Sequence, residues 1–271
     1  MKRSTIFVIA LVVGMAVSGG SLAGVWALHR QQVRERQLVP PNPTVPAEGR
    51  YPTPHLAFLE LLSREKPEVV FFGDSITDFY RYVPEVWQQH FGRFNPANFG
   101  VIFDRVENVL WRMRNGELDG YSAKAVVVEV GTNNLANNSA SEIAGGIDEI
   151  VATIRRKQPR AKILILTLLP RGDRPDDPIR LTVQSANIEI GRVEHGPDRV
   201  RLVDITHPFL NSSGTLDRKL LPDGLHPSPE GFRILAAEVE RALTDVLQSG
   251  AAESRPVTHL RSVGTEKDTG P

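Results

Sequence analysis

A length of 271 residues gives room for one ordinary α/β domain with extensions. With 41% hydrophobic and 24% charged residues the chain is not collagenous, disordered or polytopic, and 32 basic residues against 32 acidic ones leave no excess positive field for nucleic acid. The absence of cysteine excludes disulfides, thiol nucleophiles and thiolate-ligated metal centres.

Lys2 and Arg3 precede 24 residues without charge, Thr5 to Leu28, enough to cross a bilayer core as a helix. The run Ile6 to Val17 has the length of a signal-peptide core, and Ser21-Leu22-Ala23 offers a cleavage site. Apolar character resumes at Val25 to Leu28, ahead of His29, Arg30, Arg34 and Arg36, which favours a retained anchor over cleavage. Residues 1–30 carry three bases and no acid, so the remainder is mildly acidic, as suits an extracytoplasmic domain. Residues 31–53 read as a linker, because Pro40, Pro41, Pro43, Pro46, Pro52 and Pro54 oppose regular helix. The expected domain covers residues 54–248, and residues 249–271 read as a disordered tail.

Four apolar runs have the length and β-branched content of buried parallel strands: Val69 to Phe72, Ala125 to Val130, Ile163 to Leu168 and Val200 to Ile205. A fifth, weaker one ends at Asn98-Phe99-Gly100. Helical periodicity lies between and after them, in Val106 to Met113, Ile143 to Ile154 and Phe232 to Leu247. Alternating strands and helices predict a doubly wound, flavodoxin-like five-stranded parallel sheet with helices on both faces. Chemistry then belongs beyond the carboxyl ends of the strands.

The first strand runs into Gly73-Asp74-Ser75-Ile76-Thr77, which puts a serine at a strand-to-helix turn. Ser75 is a candidate nucleophile there, or else the N-cap of the following helix. Gly100 ends the second block, and Gly131-Thr132-Asn133-Asn134 follows the third strand of the β–α pattern. A glycine N–H and an asparagine amide can donate to an oxyanion, although such residues also make ordinary turns. Near the last helix stands Pro222-Asp223-Gly224-Leu225-His226-Pro227, where Asp223 can fold back onto the His226 imidazole. A metal pair is the other reading of Asp223 and His226, and His207 after Asp204 is the rival base.

Ser75, Gly100, Asn133 and His226, in that order, resemble the four namesake residues of the SGNH, or GDSL-type, hydrolase family. The stretches Asn98-Phe99-Gly100, Val109-Leu110-Trp111-Arg112, Asn115-Gly116-Glu117-Leu118, Gly131 to Asn134 and Leu168 to Gly172 resemble the branch containing the catalytic subunits of the intracellular platelet-activating factor acetylhydrolases. The resemblance implies an SGNH-type fold and a serine esterase acting on acetyl or other short acyl esters of a carbohydrate or lipid, with no metal and no organic cofactor. It assigns Ser75 as nucleophile, His226 as base, Asp223 as its orienting carboxylate, and Gly100, Asn133 and the Ser75 amide as the oxyanion hole. A lysophospholipase or thioesterase is the alternative activity, and a silent binding domain of the same fold the alternative class. One departure stands out: Val101-Ile102-Phe103-Asp104-Arg105 occupies the loop where those relatives carry a glycine pair, so Ile102 and Phe103 are expected to reshape the acyl pocket.

Overall fold

In the computed structural model, residues 52–193 and 200–253 are described. The anchor, almost all of the proposed linker and most of the tail lie outside them. Among the described residues no helix is long and apolar enough to cross a membrane.

Successive residues of a strand face opposite sides of its sheet, and on β1 (Val69–Gly73) every residue is buried whichever way it points. The same holds for β3 (Ala125–Glu129), so both strands are covered on two faces. With β2 (Pro96–Gly100), β4 (Lys162–Leu166) and β5 (Val200–Val203) they form one parallel sheet in the order β2-β1-β3-β4-β5. All five expected strands are present. Three end earlier than their apolar runs, because the residues beyond them turn away to build loops at the sheet's carboxyl edge.

One face carries α1 (Pro52–Arg64), α4 (Val106–Arg112), α5 (Ala140–Lys157) and α6 (Pro178–Arg192), packed on Val70, Phe72, Val126, Val128, Ile163 and Ile165. The other carries α3 (Pro84–Phe91) and α7 (Pro229–Glu253) on Val69, Phe71, Val127, Leu164 and Leu166. Between β1 and α3 lies the single-turn α2 (Ser75–Asp78).

The linker reading is corrected at its edge, since Pro52 and Pro54 fall in the first turn of α1. A helix's first N–H groups have no intrahelical partner, and proline's fixed φ suits that position. α3, α6 and α7 also open on a proline. At the other end α7 runs to Glu253, beyond residue 249 where the tail was expected to begin. α5 starts at Ala140, ahead of Ile143, because Ser139 and Glu142 cap it reciprocally: the Ser139 Oγ accepts from the Glu142 N–H, and Glu142 accepts from the Ser139 N–H at 2.8 Å.

Candidate active site

The sheet order makes β1 a central strand, flanked by β2 and β3. Gly73, Gly100 and Glu129 are level across the three strands, so the loops leaving them open side by side. This is where the strand order reverses, the usual crevice of a doubly wound sheet.

Ser75 does not cap the helix that follows it. Asp74 is the N-cap, and its Oδ1 accepts from the Ile76 N–H at 3.0 Å. The Ser75 side chain is left to meet His226: Oγ and Nε2 are 2.8 Å apart, across 151 positions of sequence. Nδ1 of His226 lies 2.9 Å from Asp223 Oδ2, and Asp223 Oδ1 accepts from the backbone N–H groups of Leu225 (2.9 Å) and His226 (2.8 Å). The carboxylate is therefore held by its own turn while it orients the ring. Phe79 stacks on the imidazole, centroids 5.1 Å apart. Ser75 and His226 are both fully buried.

Burial lowers the His226 pKa from its ordinary 6.5; Asp223 pulls the other way, and the nearby Arg171 guanidinium adds to the lowering. The imidazole is thus neutral near pH 7 and able to accept the serine proton. Burial works against the charge of Asp223, but the hydrogen bonds and charge of His226, with the two backbone donors, outweigh it and hold the carboxyl below its usual range. Arg171 itself is lowered by burial and faces both Asp223 and Asp74.

The rival histidine is elsewhere. His207 is exposed at the start of a short turn, and Asp204 Oδ1 accepts instead from the Thr206 N–H at 2.8 Å and from the Thr206 hydroxyl at 2.6 Å. His55 and His90, which lack a comparable carboxylate neighbour in a strand-end loop, find Glu117 at 2.7 Å and Glu240 at 2.8 Å from distant segments. Neither pair involves Ser75. Among the described residues no group of three or more His, Asp or Glu could hold a metal ion.

The expected oxyanion donors lie on the two flanking loops with unequal freedom. Asn133 Nδ2 donates one proton to the Asp104 carbonyl at 2.9 Å, and an amide NH2 retains a second. The Gly100 N–H is engaged by Asn98 Oδ1 at 2.8 Å. Glycine is required at 100 for a further reason: a Cβ there would lie 2.2 Å from the Asp78 nitrogen, so α2 could not approach β2. Asn134 acts differently from its neighbour. Its Oδ1 accepts from the Val106 N–H at 3.0 Å, capping α4, and its Nδ2 donates to Glu107 at 2.9 Å.

Some groups around the site were not anticipated. Asp74 and Glu129 are fully buried, and Asp74 Oδ2 and both Glu129 oxygens have no hydrogen-bond partner among the described residues. Burial raises Asp74 to about 7, against the Ile76 N–H and with help from Asp104, and raises Glu129 well above its usual range, with Asp74 adding to the shift. Near neutral pH Glu129 is thereby kept neutral, and Asp74 is about half protonated beside Ser75. A carboxylate inside the apolar run Ala125 to Val130 was the available sequence signal for Glu129. The loop after Gly100 carries its own surprise: Phe103 has φ = 69°, a left-handed conformation rare for a bulky side chain. Ile102 packs against the core cluster containing Phe79 and Ile76, whereas Phe103 is half-buried and belongs to neither cluster.

A parallel-sheet fold with a serine, a histidine and an aspartate at its carboxyl edge defines a class of serine hydrolases. Residues 71–234 match the model of the GDSL-like lipase/acylhydrolase family, and the chain belongs to that family. It is 33% identical over 217 residues to the platelet-activating factor acetylhydrolase IB subunit alpha1 of Homo sapiens, covering 80% of this chain and 93% of the relative. Among solved structures, a GDSL-like lipase from Bacteroides thetaiotaomicron superposes with a TM-score of 0.59 at 20% identity, over 70% of this chain and 97% of the other. The acetylxylan esterase Axe2 of Geobacillus stearothermophilus does so with a TM-score of 0.54 at 19% identity, over 65% and 93%. The chain is thus an acylhydrolase of the GDSL type, with an SGNH-hydrolase fold.

Proposed function

We propose that this protein is a serine esterase that removes acetyl or another short acyl group from a carbohydrate or lipid by way of a covalent acyl-enzyme on Ser75. The observation that carries the reading is the Ser75–His226–Asp223 chain, with contacts of 2.8 and 2.9 Å and a neutral, buried imidazole. Ser75 Oγ forms a bond to the ester carbonyl carbon while Nε2 of His226 takes the hydroxyl proton. The carbonyl oxygen becomes an oxyanion that meets the free amide proton of Asn133 and the Ser75 N–H at the start of α2; Gly100 joins by sharing its N–H with Asn98. Collapse breaks the bond to the alcohol, which leaves with the proton from His226. Water then repeats the steps in reverse order of roles, releasing the acid and restoring Ser75.

Acetyl groups are the favoured cargo because an acetylhydrolase subunit and an acetylxylan esterase are among the proteins this chain resembles, the second in fold alone. We place the domain outside the cytoplasm, tethered by the N-terminal apolar segment, on sequence grounds. The test is hydrolysis by the full-length protein of p-nitrophenyl acetate through hexanoate, of acetylated xylo-oligosaccharides and of an acetylated phospholipid, beside Ser75→Ala. Acetyl preference lost completely in Ser75→Ala supports the reading. Activity retained within about tenfold by that variant, or a preference for hexanoate, refutes it.

A further inference from the structure

The motif Val109 to Arg112 followed by Asn115 to Leu118 has no part in the chemistry above, yet it builds a buried polar cluster of its own. Arg112 is fully buried between the rings of Phe58 and Phe72, with its guanidinium carbon 5.7 Å from each centroid. Its Nε donates to Asp104 Oδ2 at 2.9 Å, and Nη2 makes an ion pair with the same oxygen at 2.8 Å. Nη2 also donates to the Phe99 carbonyl at 2.9 Å, and Nη1 to Glu117 Oε2. Glu117 is the fifth residue after Arg112, a spacing that a regular α-helix would turn to another face. The helix departs from regularity between them, at Asn115 and at Gly116 with φ = 115°, and so returns Glu117 to the arginine. Glu117 in turn accepts from His55 on α1 at 2.7 Å.

Two of the three groups held by Arg112 border the oxyanion donors. Phe99 precedes Gly100. Asp104 is the residue whose carbonyl accepts from Asn133, and that bond fixes which way the Asn133 amide faces. In the loop from Val101 to Asp104 the Asp104 N–H donates to the Val101 carbonyl at 3.0 Å and the Val101 N–H to the Gly73 carbonyl at 3.1 Å, and the loop contains the left-handed Phe103. A loop with an unfavourable φ needs an outside anchor to keep one conformation. Fixed donors also cost no reorganisation when charge develops, which is the source of their catalytic value.

We propose that Arg112 is a positioning residue for catalysis: by gripping Asp104 and Phe99 together it fixes the loop that aims the Asn133 amide. This rests on the reading of Asn133 as an oxyanion donor. The line from Arg112 through Asp104 to Asn133 acts on the transition state and not on the bound substrate. Lysine keeps the charge but has no planar fork for two simultaneous contacts, so Arg112→Lys loosens the grip without emptying the site of charge.

The experiment is a double-mutant cycle on the full-length protein with p-nitrophenyl acetate, comparing Arg112→Lys, Asn133→Ala and the pair. Arg112→Lys is expected to lower kcat by about tenfold or more with KM within about threefold, and Asn133→Ala to lower it by about a hundredfold. In the pair, the lysine adds no more than about twofold to the loss from Asn133→Ala. If the two losses multiply, or Arg112→Lys leaves kcat intact, Arg112 is only a structural ion pair and the proposal is overturned while the oxyanion reading stands. If Asn133→Ala alone leaves kcat unchanged, the oxyanion reading fails and takes the proposal with it. Should Arg112→Lys not fold, Asp104→Asn weakens the same grip, retains the carbonyl that Asn133 uses, and carries the same cycle with the same outcomes.

Discussion

Phe103 combines a left-handed backbone with a half-buried ring, so truncating it alters two energies of opposite sign. Phe103→Ala removes the ring and keeps the strain, because Cβ is what clashes in the left-handed region; Phe103→Gly removes both. The comparison between alanine and glycine therefore isolates the backbone. Left-handed geometry costs an L-residue roughly 1–2 kcal/mol, and the extra freedom of glycine in the unfolded chain gives back about 0.4–1 kcal/mol. Phe103→Gly should be the more stable of the two variants by about 1 kcal/mol, or about 2–4 °C in Tm for a domain of this size. Urea unfolding followed by circular dichroism measures it, with the same slope expected for both. Alanine equal to or better than glycine would refute the assignment of strain to this loop. The same variants test the acyl pocket. Ile102 packs against the core cluster, so Ile102→Gly should lower stability and leave the acetyl-to-hexanoyl ratio of kcat/KM unchanged. Phe103 is outside both clusters, so Phe103→Gly should shift that ratio toward hexanoyl.

His226→Ala should reduce kcat by several orders of magnitude, as much as loss of Ser75, whereas His207→Ala should stay within about threefold of the parent; steady-state ester hydrolysis measures both. The kcat/KM profile should fall on the acid side with a midpoint below 6.5, because burial depresses the His226 pKa and the base must be neutral. Arg171→Gln, which removes a cation facing that ring, should move the midpoint upward, and an unmoved midpoint would contradict the charge contact. Asp74 titrates at about 7 in the folded protein against about 3.8 unfolded, so its contribution to stability is full below pH 4 and is lost as pH rises through 7. Asp74→Asn, which keeps an oxygen for the Ile76 N–H, should therefore gain on the parent between pH 5 and pH 8.5 in denaturant midpoints, and parallel pH curves would count against it.

The strands and the pairing of Asp223 with His226 were legible because their signals are local. An apolar run marks β1, and Asp223 and His226 are three residues apart in one turn. The prolines at 52 and 54 misled because proline both interrupts helices and begins them, and only the residues that follow decide which; Phe58, Leu61 and Leu62 packing on the core turn that segment into α1. Gly-Thr-Asn-Asn indicated a polar turn but not the division between Asn133, whose amide donates to the Asp104 carbonyl, and Asn134, which caps α4. That division depends on Asp104 and Val106, some thirty positions earlier. The contacts of Arg112 were invisible for the same reason. Asp104, Glu117 and Phe99 converge on it only once α4 lies against the sheet, and a lone arginine in an amphipathic pattern reads as surface.

The two halves of the Ser75–His226–Asp223 chain differ in how they come into being. Asp223 meets His226 within a single turn of four residues, whereas Ser75 reaches His226 only when the first strand and the last helix have docked on one sheet. The Asp223–His226 contact is therefore cheap in chain entropy and survives local loosening, while the Ser75–His226 contact closes a loop of 151 positions and depends on the assembled domain. Turnover is in consequence a gauge of global docking: under mild denaturant, ester hydrolysis should disappear before the helical signal does, at the point where α7 first parts from α3 and β4.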